Sequence, residues 1–270
     1  MGKRELFALA AIPVLVSTII WLPSWAFLAI LGLAVILACG ELLNMARAAG
    51  LYRGRWLPLA SLAVLLVVAW VFGVTGFAAA VIAILLILPT ARLAHPEAPT
   101  GNFGGVAAES LAVLYLGVTA ACFGWLRLWP GDEMGVRLLL FFLASIWVGD
   151  SGAYYVGRNF GRHKMSPRIS PNKTWEGLVG GVVTTYAAAA AASAVFELGI
   201  GPFHTMGLAT ILAITAPLGD LVESQFKRDS GIKDSSTVLP GHGGFLDRTD
   251  SLLYAAPPVL GYLLVAGLLQ

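Results

Sequence analysis

The sequence predicts an all-α fold, a polytopic integral membrane bundle of about nine transmembrane helices. Hydrophobic residues make up 58% of the chain and charged residues 12%, whereas soluble proteins contain roughly 25% charged residues. Apolar segments also recur from end to end at about the 20-residue length that a helix needs to cross the hydrocarbon. A soluble core of this size could not bury so much apolar surface, but lipid solvates it.

Gly73 decides how many spans are predicted. The candidate segments, in chain order, are residues 6–22, 25–43, 57–72, 74–90, 106–125, 138–156, 178–198, 205–222 and 251–269. Gly73 alone separates the third segment from the fourth, so these two could form a tight hairpin or one broken element. We divide the chain into an N-terminal part, residues 1–104, with about four of the helices, and a C-terminal part, residues 105–270.

The basic residues orient the predicted bundle. With the N-terminus inside, all 17 Lys and Arg residues except Arg127 and Arg137 fall on the inner side. An excess of basic residues marks cytoplasmic loops. The two longest polar loops, residues 157–177 and 223–250, are therefore expected in the cytoplasm. The net charge of +2 by itself gives no reason to expect a nucleic-acid partner.

A polar helix face leads into the second of these loops. Asp220, Glu223, Ser224 and Lys227 recur at the spacing of one helical face. A carboxylate at membrane depth is costly unless it faces a polar cavity or binds a cation. Carboxylates beside Lys and Arg suggest Mg²⁺ with phosphate. The alternative is a solvated helix end with internal salt bridges.

A glycine-rich turn follows this face. The run Pro240-Gly241-His242-Gly243-Gly244 offers backbone N–H groups that can approach an anion closely. His242 could be a general base, although a positioning or phosphate-binding role is favoured. The sequence contains neither GxxxxGK[ST] nor GxGxxG, which disfavours a Walker or dinucleotide site.

Two further polar clusters lie upstream. The run SPNKTWEG, residues 170–177, suits the start of a helix, and a helix N-terminus with Lys173 beside it is a natural phosphate site. A plain helix cap is the alternative. Asp150 and Tyr154 lie one helical turn apart near the end of the sixth span, where Asp150 could simply pair with Arg158.

These clusters resemble a known family. The run S-x-F-K-R-x4-K-D-x-S-x2-L-P-x-H-G-G-F-x-D-R-T-D, from Ser224 to Asp250, is similar to the motif of phosphatidate cytidylyltransferases, the CDP-diacylglycerol synthases. SPNKTWEG resembles the family's second motif, which usually has Lys where this chain has Asn172. The run from Asp150 to Tyr154 resembles D-x-x-A-Y. The first hundred residues add only a matching hydropathy.

The resemblance implies a reaction and assigns roles to residues. The phosphate of phosphatidic acid would attack the α-phosphorus of CTP, giving CDP-diacylglycerol and pyrophosphate. Mg²⁺, with a second cation as a further candidate, would be bound by Asp220 and Asp247, with Asp150, Asp234 and Asp250 as additional candidates. Asp220, Lys227, Asp247 and His242 would be catalytic. The residues expected to bind substrate are Ser170, Asn172, Lys173, Thr174, Ser224, Arg228, Lys233, Gly243, Gly244 and Arg248.

The resemblance also implies a location and partners. The acyl chains of phosphatidic acid would stay among the membrane lipids while CTP arrives from the cytosol. We expect a multi-pass protein of the cell (inner) membrane of a bacterium, with its N-terminus and catalytic loops cytoplasmic and without a nucleic-acid partner. Small residues such as Gly177, Gly180 and Gly181 would allow a homodimer.

Two other functions remain open at this point. Transporters also contain intramembrane carboxylates and broken helices, but here the charges crowd on one face and no inverted repeat is visible in the sequence. A related CTP-using membrane enzyme is the nearer alternative, either a lipid-alcohol kinase or a cytidylyltransferase for a different lipid phosphate.

Overall fold

A computed structural model describes residues 13–51, 54, 56–94, 102–232, 235–236 and 243–269. The described chain is helical, as predicted, apart from one small β-hairpin and the connecting loops. The helices are α1 (residues 13–21), α2 (Ser24–Ala48), α3 (Leu57–Ala91), α4 (Asn102–Leu128), α5 (Asp132–Phe160), α6 (Trp175–Val195), α7 (Gly201–Asp229) and α8 (Leu246–Val265). A short 3₁₀ turn, Arg92–Ala94, follows α3.

The hairpin lies between α5 and α6 and was not predicted. Strands β1 (Lys164–Ser166) and β2 (Ser170–Thr174) pair antiparallel, with Lys164 opposite Thr174 and Ser166 opposite Ser170. Pro171 lies in β2, and the chain stays extended as far as Thr174, whose backbone is still extended where it caps α6. The β2 strand therefore delivers the SPNKT residues directly to the start of α6.

The count of about nine spans is not confirmed. Among the described residues, 6 helices are long and apolar enough to cross a membrane, namely α2 to α7, with α3 extended through the 3₁₀ turn. The first predicted span lies partly outside the described residues. Helix α8 is not among the six. Its first turn carries Asp247 and Arg248, and Asp250 follows directly after that turn.

Gly73 breaks α3 into two arms. Its φ of 64° and ψ of −153° are not helical, and only glycine adopts such angles without strain. A Cβ on Gly76 would lie 3.0 Å from the carbonyl oxygen of Val68, although a straight helix would separate positions eight residues apart by about 12 Å. The chain therefore turns back sharply at Gly73, in agreement with the hairpin alternative.

Helices α5 and α6 pack through glycines. A Cβ on Gly177 would lie 3.1 Å from the Cα of Gly157, and one on Gly180 would collide with the side chain of Val156. The backbones can approach this closely only because side chains are missing at the contact. Gly177, Gly180 and Gly181, which were expected to allow a homodimer, thus already pack against α5 of the same chain. A homodimer stays a prediction.

The chain forms two compact units, each made of discontinuous segments. Unit 1 comprises the described residues of Met1–Phe27, Trp125–Gln225 and Thr249–Gln270, and unit 2 those of Leu28–Gly124 and Phe226–Arg248. Phe141 and Phe142 lie in the core of unit 1, and Leu62, Leu65 and Leu116 lie in that of unit 2. Residues belong to a unit because they contact one another and not because they are neighbours in sequence. The division of the sequence after residue 104 stays a prediction.

Candidate active site

A cavity of about 770 Å³ opens within unit 1. Its walls come from α5, the β-hairpin, the start of α6 and the middle of α7, which approach one another through the glycine contacts described above. The predicted site residues that line it are Asp150, Ser170, Asn172, Lys173, Thr174 and Asp220. Folding therefore brings the SPNKTWEG segment, the Asp150 segment and the head of the polar α7 face to a single cavity.

Lys173 links the hairpin to α7. Its Nζ lies 2.8 Å from Oδ2 of Asp220 and donates to the carbonyl oxygen of Pro217 at 3.1 Å. The Lys173 side chain is 22% exposed and that of Asp220 is 44% exposed. The cation is therefore fixed at the edge of the cavity, while the carboxylate keeps an open side.

Thr174 caps α6 as the sequence predicted. Its Oγ1 accepts a hydrogen bond from the N–H of Gly177 at 3.1 Å, and Glu176 lies in the first turn. Glu176 in turn accepts hydrogen bonds from the N–H groups of Arg162 and His163, which ties the hairpin to the helix. The segment is thus a helix cap, and the same cap presents Lys173 to the cavity.

Asp150 lines the cavity rather than capturing Arg158. The guanidinium of Arg158 donates to the hydroxyl of Tyr154 at 3.1 Å, so the simple Asp150–Arg158 pair is not the arrangement seen. Asp150 and Tyr154 instead border the same cavity as Asp220. A carboxylate in this position adds negative charge to a site that also holds Lys173.

Three carboxylates converge where α7 meets α8. One oxygen from each of Asp220, Glu223 and Asp250 lies within 4.8 Å of the other two. Glu223 is only 2% exposed and Asp250 8%. Gly219 permits the approach, because a Cβ there would lie 2.7 Å from the carbonyl oxygen of Asp250. Clustered carboxylate oxygens are the donor set that Mg²⁺ and other hard cations take, so these residues fit a divalent cation.

The sequence analysis placed Glu223 on the polar face but did not assign it to the site. Its position one helical turn after Asp220 was the available signal. The approach of Asp250 could not be seen from spacing, because it depends on the packing of α8 against Gly219. Ser224, which was predicted to bind substrate, donates to Oδ1 of Asp220 at 3.2 Å and so orients that carboxylate.

A second Lys–Asp pair lies in unit 2. Nζ of Lys227 is 2.6 Å from Oδ1 of Asp247. The other oxygen, Oδ2, accepts hydrogen bonds from Oγ of Ser235 at 2.5 Å and from the N–H of Gly244 at 2.7 Å. Gly243 has a φ of 76°, and a Cβ there would collide with the Asp247 carboxylate. Gly243 and Gly244 therefore lie against the protein's own Asp247 carboxylate.

Glu41 contacts the motif segment before Asp247 and was not named from the sequence. It lies in α2 and is 4% exposed. Its carboxylate accepts hydrogen bonds from the N–H groups of Phe245 and Leu246 at the start of α8. The signal was available, because Glu41 is the only charged residue in the predicted span 25–43, and an ionisable residue in such a segment usually has a function.

The remaining predicted residues are placed as follows. Arg228 and Arg248 lie exposed at the end of α7 and the start of α8. His242, Lys233 and Asp234 lie outside the described residues. Asp220 belongs to unit 1 and Asp247 to unit 2, and their joint binding of one cation stays a prediction.

Comparison with known proteins agrees with the motif resemblance. A model of the cytidylyltransferase family matches residues 2–266, nearly the whole chain. The chain belongs to this family. The match covers the eight helices of the described residues and both units, so family membership rests on more than the short motifs.

Individual relatives carry a more specific name. The chain is similar to proteins named phosphatidate cytidylyltransferase from three bacteria. It is 38% identical over 186 residues to that of Bacillus subtilis (strain 168), covering 68% of this chain and 67% of the relative. It is 47% identical over 129 residues to that of Haemophilus influenzae, covering 46% and 44%. It is 39% identical over 155 residues to that of Staphylococcus saprophyticus, covering 57% of each.

Proposed function

We propose that this protein transfers the cytidylyl group of CTP to phosphatidic acid, forming CDP-diacylglycerol and pyrophosphate. The observation that carries the proposal is the meeting of Lys173 with Asp220 at one cavity. The family and the names of the relatives support the same reaction. A cavity bordered by lysines, two carboxylates and a helix N-terminus suits a nucleoside triphosphate with a bound metal.

The chemistry places modest demands on the protein. The attacking oxygen belongs to a phosphate that is already anionic, so no strong general base is required. An oxygen of phosphatidic acid forms a bond to the α-phosphorus of CTP, and the bond from that phosphorus to the pyrophosphate oxygen breaks. Catalysis then consists of holding the two reactants in line and neutralising charge on the triphosphate. Lys173 supplies positive charge at the cavity edge.

We propose that Asp220, Glu223 and Asp250 hold a Mg²⁺ ion. Their oxygens lie within 4.8 Å of one another, and Mg²⁺ usually takes only one or two protein carboxylates, so substrate phosphate and water would fill the other positions. When bound, the ion would neutralise charge on the triphosphate as pyrophosphate leaves. Ser224 keeps Asp220 oriented, and Lys173 limits the repulsion among the carboxylates.

The cavity faces the cytoplasm in this proposal, because basic residues accumulate in the loops on the same side of the predicted bundle. Ser166 and Arg168 lie in the β-hairpin and its turn, so Ser166→Cys and Arg168→Cys can report its side. A membrane-impermeant thiol reagent should label them only after the inner face is exposed. The native Cys39 and Cys122 are buried and give little background. Labelling in intact cells would refute the orientation.

CTP labelled in a single phosphate tests the reaction itself. Purified protein incubated with phosphatidic acid, Mg²⁺ and α-labelled CTP should move the label into a chloroform-soluble product. CTP labelled in the γ-phosphate should release labelled pyrophosphate and leave the lipid unlabelled. Transfer of the γ label to lipid would identify a kinase. Labelling of the lipid in neither case would refute the enzyme.

A further inference from the structure

Glu41 joins the N-terminal half of the sequence to the motif-bearing C-terminal half. It lies in α2, far along the sequence from any motif residue, yet all of its described partners lie between Ser235 and Leu246. These partners and Glu41 belong to unit 2. A carboxylate from a membrane-spanning helix therefore holds the segment that precedes Asp247.

Each carboxylate oxygen accepts one backbone N–H and has a serine hydroxyl oxygen beside it. Oε1 accepts from the N–H of Phe245 at 3.1 Å and from Oγ of Ser236 at 2.6 Å. Oε2 accepts from the N–H of Leu246 at 2.9 Å and lies 3.2 Å from Oγ of Ser235. The two amides are among those at the start of α8 that have no carbonyl partner within the helix. Glu41 thus serves as a cap supplied by another helix.

The charge of Glu41 is compensated without a described cationic partner. Its described donors are two amides and the hydroxyl of Ser236, all neutral, and the hydroxyl of Ser235 lies beside it. Burying a carboxylate is costly unless hydrogen bonds satisfy it. The positive end of the α8 dipole adds to those hydrogen bonds, because a helix N-terminus favours negative charge. The carboxylate is therefore stable here only while the turn before α8 keeps its present conformation.

Gly244 and Ser235 connect Glu41 to Asp247. A Cβ on Gly244 would collide with the Glu41 carboxylate, so this position must be glycine for the contact to form. The N–H of Gly244 donates to Asp247 at 2.7 Å. Ser235 Oγ lies near both carboxylates, at 3.2 Å from Glu41 and 2.5 Å from Asp247. Displacing Glu41 must therefore disturb the donors that hold Asp247 against Lys227.

We propose that Glu41 is a positioning residue that fixes the turn at the start of α8 and thereby the Lys227–Asp247 pair. The catalytic meaning of this role rests on the proposed function, because Lys227 and Asp247 are catalytic only as the resemblance implies. The structural part stands on the contacts alone. In this role Glu41 acts through Asp247 and the residues beside it.

Glu41→Gln tests the structural part. Glutamine keeps the length of the side chain, but one of its two terminal atoms is an NH₂ group, which cannot accept a hydrogen bond. Because each carboxylate oxygen accepts one backbone N–H, either Phe245 or Leu246 must lose its acceptor. Amide hydrogen exchange measured by mass spectrometry should become faster, by ~10-fold or more, in peptides that cover residues 243–248, and should stay unchanged in α5 and α6.

Glu109→Gln is the matched control. Glu109 is another buried glutamate of unit 2 and pairs with Arg92 at 2.5 Å. Its loss should lower the melting temperature but leave exchange at residues 243–248 unchanged. Unchanged exchange in Glu41→Gln, or an equal acceleration in Glu109→Gln, would overturn the proposal. If Glu41→Gln does not accumulate, Glu41→Asp keeps the charge but shortens the side chain, and it should show a smaller acceleration at the same peptides.

Steady-state kinetics test the catalytic part. Glu41→Gln should lower kcat by ~10- to 10²-fold with little change in the KM for CTP, because misplaced catalytic groups reduce turnover more than binding. The double variant Glu41→Gln/Ser236→Ala should lose little more than the Glu41 variant, since both changes act on one contact. An unchanged kcat beside accelerated exchange would overturn the link to catalysis. Wild-type protein that fails to transfer the α label would instead refute the proposed function, and the exchange result would still decide the structural role.

Discussion

Two Lys–Asp pairs among the described residues, Lys173–Asp220 and Lys227–Asp247, have different surroundings. Lys173 and Asp220 border a cavity in unit 1, with side chains 22% and 44% exposed. Lys227 and Asp247 lie in unit 2, with side chains 12% and 11% exposed. Asp247 also accepts hydrogen bonds from Ser235 and Gly244. The first pair is open on one side, whereas the second is enclosed by its own loop.

The difference shows that a charged pair in a motif can serve two purposes. An ion pair with an open carboxylate keeps lone pairs for a cation or for water. An enclosed carboxylate with a lysine and several N–H or O–H donors is already satisfied, and it fixes the chain around it. We therefore expect the proposed cation at the open Asp220 carboxylate, and we expect the contribution of Lys227 and Asp247 to turnover to depend on the order of the residues that enclose them.

Replacing Asp220 by Asn should have the largest effect on turnover. The change preserves size but removes the charge that holds the proposed cation, so activity should fall by at least ~10²-fold. The protein should still fold, because the side chain is 44% exposed. Glu133→Gln is the matched control and should retain activity. The Glu133 side chain is 81% exposed and pairs with Arg137. Near-normal turnover by Asp220→Asn would end the assignment of this site.

Replacing Lys173 by Ala should have the second-largest effect on turnover. Removal of one positioned cation should lower kcat by ~10- to 10²-fold and raise the KM for CTP. The cap should survive, because Thr174 and not Lys173 accepts the hydrogen bond from Gly177. Arg162→Ala, at an exposed arginine before the hairpin, serves as the control. Normal kinetics with saturating CTP and lipid would leave the segment as a structural cap only.

Much of this architecture was accessible from the sequence. The predicted spans 25–43 and 106–125 lie within α2 and α4, because about 20 apolar residues in succession are a strong signal. A helix start was predicted within residues 170–177, and Thr174 is indeed the N-cap of α6, whereas Pro171 lies in β2 and not in the first helical turn. The hairpin of residues 164–174 was not predicted, because strands this short lack a usable alternation pattern.

The site was predictable as residues but not as contacts. Lys173 and Asp220 were both named, yet their pairing depends on the packing of β2 against α7. Asp250 and Glu223 come together only because Gly219 lets α8 approach α7. Glu41 lies nearly 200 residues before its partners, which no local pattern can reveal.

Replacing Asp247 by Asn tests the enclosed Lys227–Asp247 pair through the stability of the protein. Removing the Asp247 charge weakens a partly buried ion pair, which should reduce the free energy of unfolding by about 2–3 kcal/mol, somewhat less than for a fully buried pair. Lys227→Met/Asp247→Leu should recover part of that loss, since the partly buried lysine charge is then gone. Thermal unfolding in detergent measures both. An Asp247→Asn variant as stable as wild type would contradict the enclosed character of this pair.

The same variants test the prediction that Asp220 and Asp247 share one cation. If they do, Asp220→Asn/Asp247→Asn should be hardly less active than either single variant, because groups acting as a unit are not additive. If the fold-loss of activity in the double variant equals the product of the two single-variant losses, the two aspartates act independently.

Gly219→Ala should produce the smallest effect. The added Cβ would lie 2.7 Å from the Asp250 carbonyl oxygen and 2.7 Å from the Cβ of Tyr254, so α8 must move away at a cost of about 1–3 kcal/mol. Gly261→Ala, also in a helix, meets nothing within 4 Å and should be neutral or slightly stabilising. Equal melting temperatures for the two variants would show that the approach at Gly219 is not tight.

Binding of Mn²⁺ tests the central claim most directly, because Mn²⁺ replaces Mg²⁺ at oxygen sites and can be followed by electron paramagnetic resonance. Purified wild-type protein with CTP should bind Mn²⁺, and Glu133→Gln should bind it equally well. Asp220→Asn should raise the Kd for Mn²⁺ by at least ~10-fold, the usual consequence of losing a residue at a metal site. Unchanged Mn²⁺ affinity in Asp220→Asn would contradict the assignment of the cation to the open pair.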